Sequence, residues 1–108
     1  MSETTLHCNG RLAITVEPRE MRMSHWLHAP QVVDRQNQQT LLDLRDSLWD
    51  LLGTTEETPG GIDLVLRQYP GDRPAVTLRI DLEAGTLNLA GRPVAAAQLR
   101  VELDAAWR

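Results

Sequence analysis

Two runs of strict alternation constrain this chain more than any other feature. Ile62, Leu64 and Leu66 alternate with Asp63, Val65 and Arg67; Val76, Leu78, Ile80 and Leu82 alternate with Thr77, Arg79 and Asp81. A period of two belongs to strands with one face buried. Both apolar rows must reach the same core, and that restricts how the two strands pair. A three-residue Pro70-Gly71-Asp72 loop sets Asp63 opposite Arg79, a favourable cross-strand pair, whereas the neighbouring even register opposes Asp63 to Asp81. A second turn at Glu83-Ala84-Gly85-Thr86 leads to Leu87 and Leu89, so a three-stranded meander is predicted.

The amino half shows the same period less cleanly. Leu12, Ile14 and Val16 alternate with polar neighbours, and Pro18-Arg19-Glu20 is expected to turn the chain. Met21, Met23, His25 and Leu27 form one row of the next strand, with Trp26 in the opposite row. The usual burial of tryptophan favours a core position for Trp26, reached through a bulge near Ser24; without the bulge it is an exposed anchor. Gly53 to Gly61 reads as a connection because glycine, proline and short polar residues punctuate it.

Two segments carry helical spacing. Thr40-Leu41-Leu42-Asp43 resembles a capping box with Asp in place of Glu, opening a leucine series at 41, 44, 48 and 51 that Gly53 would stop. The same Thr40–Leu44 run also fits a strand following a hairpin through Asp34-Arg35-Gln36-Asn37. Pro93 suits a first helical turn, and Ala96, Leu99, Leu103 and Trp107 follow at helical intervals. The expected fold is α+β in one domain over 1–108: an antiparallel meander of about five to seven strands with a C-terminal helix and a second helix at about 40–52. The alternative is a mainly-β sandwich or open barrel with a C-terminal helix.

Composition removes whole classes of chemistry. Hydrophobic residues at 42% and charged residues at 24% describe a chain able to bury a core. All 11 basic residues are arginine, so Schiff-base lysine, pyridoxal attachment and the phosphate-loop lysine are absent. The aromatic complement of three Trp and one Tyr is too thin for a base-stacking platform. Neither a basic, apolar leader nor a run of about 20 apolar residues is present, so no membrane association is expected. One cysteine, Cys8, admits no internal disulfide and fits a reducing cytoplasm.

The candidate chemical constellations fail on spacing. His7, Cys8, His25 and His28 are the possible zinc ligands, but in extended chain His25 and His28 face opposite ways, as do His7 and Cys8. Ser24 beside His25 lacks the strand–turn–helix setting of a nucleophile, and Cys8 sits near an end expected to be mobile. No metal or cofactor is expected, and no catalytic residue is assigned. The chain carries a formal −4 and its expected outward sheet face sums to zero, which argues against nucleic acid.

The charge is unevenly placed. Residues 1–37 and 61–108 are each balanced, while 38–60 carries Arg45 against Asp43, Asp46, Asp50, Glu56 and Glu57. On a helix, Asp43, Asp46 and Asp50 would form an acidic stripe opposite the leucines. The expectation is therefore a cytoplasmic, non-catalytic protein-interaction domain, of the acidic inhibitor or immunity type. Its partner would be a basic protein, met through these five acids with Trp26 and Tyr69. Homo-oligomerisation stays open. The rival is a small-molecule binder or enzyme whose pocket between sheet and helices uses His25, Arg67 and Arg79, the arginines clamping a carboxylate.

Overall fold

A computed structural model describes residues 2–21, 26–69 and 74–105. Its strands are β1 (Glu3–His7), β2 (Leu12–Glu20), β3 (Trp26–Asp34), β4 (Gln39–Asp43), β5 (Trp49–Thr58), β6 (Gly61–Gln68), β7 (Val76–Asp81), β8 (Thr86–Leu89) and β9 (Arg92–Val94). A 3-10 turn at Ala96–Gln98 leads into α1 (Leu99–Ala105). All ladders are antiparallel and join sequence neighbours: β1-β2-β3-β4 in one sheet, β5-β6-β7-β8-β9 in the other. The strand total therefore exceeds the expected five to seven.

The two sheets share one core. Leu12, Ile14 and Val32 from the first sheet meet Ile62, Leu64, Leu66, Leu78 and Ile80 from the second. Trp49 is fully buried, and Leu99 and Leu103 bring α1 onto the same cluster. The ring nitrogen of Trp49 donates to Asp104 at 3.2 Å, fixing the helix from its polar side. The expected register is observed: Asp63 pairs with Arg79, and Leu64 with Leu78. Arg79 also donates to Asp63 at 3.3 Å.

The second helix does not form. Gln39–Asp43 is a strand on β3, Ser47 closes a turn, and β5 begins at Trp49. The leucines do not make one buried stripe, since Leu42 and Leu44 are buried while Leu48 is exposed. Side chains take the backbone contacts a helix would need: Asp43 accepts from the Arg45 N–H at 3.2 Å, and Ser47 Oγ from the Trp49 N–H at 3.1 Å. The acidic helical stripe of Asp43, Asp46 and Asp50 disappears with the helix.

Three other expectations are corrected. Gly53–Thr58 is strand, not loop, because its threonines favour extended chain and two bulges on β5 absorb the surplus residues. Pro18-Arg19-Glu20 continues β2 rather than turning it. β1 covers β2 only as far as Val16, so the donor missing from Pro18 falls where no ladder needs it. Pro93 likewise lies in β9, at a sheet edge, and not in the helix. Met23, Ser24, His25, the Pro70-Gly71-Asp72 loop and Trp107 lie outside the described residues.

Candidate functional site

β1 and β5 stand at the ends of their respective sheets and flank a cleft of about 250 Å³. Glu3, Thr5 and His7 form one wall, since each pairs with an inward residue of β2. Leu51, Gly53 and Thr54 form the other, over a floor of Ile14 and Val16. A Cβ built on Gly53 would meet nothing within 4 Å, so the cleft is open along that strand.

One end of this cleft is tied. His7 Nδ1 lies 2.8 Å from Glu57 Oε1, and Thr5 Oγ1 lies 2.8 Å from His7 Nε2. The second Glu57 oxygen accepts from the Cys8 N–H at 3.2 Å. The His7 bond, followed by the Cys8 N–H, holds the Glu57 carboxyl below its ordinary range. Hydroxyl, imidazole and carboxylate in this order activate nucleophiles in hydrolases. Here the chain also bridges two sheets that share no ladder at this point. Cys8 is buried in the core, with its thiol donating to the Gly61 carbonyl at 3.4 Å, and burial pushes its pKa up. That replaces the expected mobile end and leaves Cys8 a poor nucleophile.

The other acids of the middle segment scatter. Asp43 takes both oxygens to Arg45, at 3.0 Å each, and that guanidinium holds its carboxyl low. Arg45 also reaches Glu17 at 4.0 Å, while Asp46 accepts from Arg100 of α1 at 2.8 Å. Asp43 and Asp46 thus belong to a mixed-charge cluster with two arginines. Asp50 is buried and accepts from the His28 N–H at 2.8 Å. Glu56 adopts φ +53° on a β5 bulge, and its carbonyl accepts from Arg79 at 3.0 Å.

Trp26 is half exposed rather than core, because the alternation of β3 sends Leu27 inward. Three contacts gather the start of β3, the turn before β5 and the end of β6 at one end of the fold. They are His28 N–H to Asp50, Arg19 to the Ser47 carbonyl, and Tyr69 N–H to the Leu48 carbonyl at 2.7 Å. Trp26 and Tyr69 therefore come to the same end, together with Leu48, which the helical reading had turned inward. The exposure of Leu48 was hidden because its spacing from Leu44 and Leu51 fits a helix.

The rival arginine clamp is not assembled. Arg79 is held by Asp63 and the Glu56 carbonyl, and the ladder register puts Arg67 four residues further along, roughly 13 Å at ~3.3 Å per residue. A second cavity, of about 310 Å³, opens between β4 and β8 and contains Arg11, which is already paired with buried Asp34 at 3.3 Å. No group of three His, Cys, Asp or Glu side chains among the described residues is arranged to hold a metal. No helix among them is long and apolar enough to cross a membrane. Comparison with protein-family models, curated proteins and solved structures finds no match for this chain.

Proposed function

We propose that this chain is a small, cytoplasmic, non-catalytic protein-interaction domain of the acidic inhibitor or immunity type, acting on a basic partner protein. The observation that carries the reading is Trp26, 50% exposed at the start of β3, with Leu48 also exposed at the same end. A tryptophan held by a strand offers a large rigid contact at low entropic cost, the kind of anchor that dominates interface energetics. The formal charge of −4 supports a basic partner and faster encounter with it.

The acids take different parts in this reading. Asp43 and Asp46 are compensated by Arg45 and Arg100 and so shape the surface rather than steer, while Asp50 is inside and supports the start of β3 through the His28 N–H. Glu56 and Glu57 on the exposed half of β5 carry the steering charge. The test is a titration of the partner recovered on the immobilised chain, using wild type and Trp26→Ala. Trp26→Ala should weaken binding by about tenfold or more with an unchanged melting temperature. Equal affinity of the two proteins would sink the assignment of Trp26.

A further inference from the structure

The cleft between β1 and β5 combines features that a bare acidic patch lacks. β1 is an edge strand with an unbroken register to β2, and Glu3 to Leu6 are exposed on both of its faces. Among the described residues no strand pairs with its outer edge, the arrangement that accepts an added strand. β5, across the cleft, is broken by two bulges and so is the poorer template. Ile14 and Val16 on the floor and Leu51 on the β5 wall give the cleft an apolar lining.

Charge selects the occupant. Of the acids on β1 and β5, Glu3 and Glu56 are exposed and Glu57 is exposed but bonded to His7, while Asp50 is buried; neither strand contains an arginine. A second copy of this chain would set like charges against each other, whereas a basic segment would find them complementary. We infer that β1 takes up an extended basic segment of the partner protein as an added antiparallel strand, its alternate side chains entering the cleft over Ile14 and Val16. This rests on the interaction reading above and names the part of the partner that the cleft would hold.

The probe is a short peptide of alternating arginine and valine, with two derivatives N-methylated on the odd or on the even residues. In an antiparallel strand whose arginines face the cleft only one of the two sets of N–H groups points at β1, so the peptide and one derivative should bind while the other derivative loses at least about tenfold. Hydrogen exchange should slow at the amides of Glu3–His7. The double variant Glu3→Arg, Glu56→Arg should bind the peptide about tenfold more weakly and keep its fold. Binding of both derivatives, or of neither, overturns strand addition, as does protection that appears around Trp26 instead. Absence of peptide binding also overturns it, and a partner still held through Trp26 would then leave the interaction reading standing alone. Self-association through Glu3–His7 in the absence of peptide would assign the edge to a second copy and contradict the inference.

Discussion

His7 Nδ1 lies 2.8 Å from Glu57 Oε1 and so joins the edge strands of two sheets that have no ladder between them. The residues are 50 positions apart, and their bond closes one end of the cleft that β1 and β5 flank. Replacing Glu57 by Gln removes the charge and should lower the melting temperature at pH 7. The carboxyl is held below its ordinary 4.5, so its contribution is fully present above that value and is lost as pH falls through the folded value. The gap between wild type and Glu57→Gln should therefore close on acidification below about pH 4.5 in thermal scans. A gap that persists unchanged at low pH would contradict this origin.

Gly61 sets the closeness of β6 to β7. A Cβ there would lie 2.7 Å from the Ile80 carbonyl oxygen and 2.7 Å from Arg79 Nη2. Arg79 can move, but the carbonyl belongs to the ladder and cannot without cost. Gly61→Ala should therefore destabilise by about 1–3 kcal/mol in denaturant titration. No change in the unfolding midpoint would show that the strands separate more easily than this packing implies.

The carboxy half was legible because alternation, turn residues and charge pairing all point one way. Ile62–Arg67 and Val76–Asp81 are strands in the expected register, and Leu99 and Leu103 lie on the expected helix. The segment from Thr40 to Gly53 was misleading, since leucine at helical intervals is a local signal and pairing to β3 is a long-range one. Sequence reading brought Trp26 and Tyr69 forward but could not join them, because the contacts that do so run through Arg19, Ser47 and Leu48. The Thr5, His7 and Glu57 chain was equally hidden: it depends on two strand edges meeting across the fold. β9 was missed because Ala90-Gly91 is an unusual pair for the two positive-φ positions, +51° and +83°, that its hairpin turn adopts.

Asp34 closes the β3–β4 hairpin from within. Burial pushes its carboxyl up, but Arg11, the Gln36 N–H and Asn37 outweigh that and leave it below its ordinary 3.8. Asp34→Asn breaks the charge-assisted pair with Arg11 and should cost about 1–3 kcal/mol at pH 7. The cost should shrink as pH falls below the ordinary carboxylate value, because the native carboxylate is then protonated as well. Denaturant titrations at neutral and acid pH give the comparison, and equal costs at both would contradict it.

Trp26 and Trp49 separate contact from stability. Trp49 is fully buried and holds Asp104 of α1, so Trp49→Ala should cost about 3–5 kcal/mol. Trp26→Ala at an exposed position should stay within about 0.5 kcal/mol of wild type. Unfolding of the two variants followed by circular dichroism measures both. A large loss at Trp26 would make it a core residue after all and remove the anchor from the proposed interface.

The claim that this domain meets a basic partner electrostatically is tested most directly by the salt dependence of the association rate. Stopped-flow mixing of the chain with its recovered partner should show the rate falling steeply from low to physiological ionic strength, with the dissociation rate nearly constant. An association rate indifferent to salt would contradict the account.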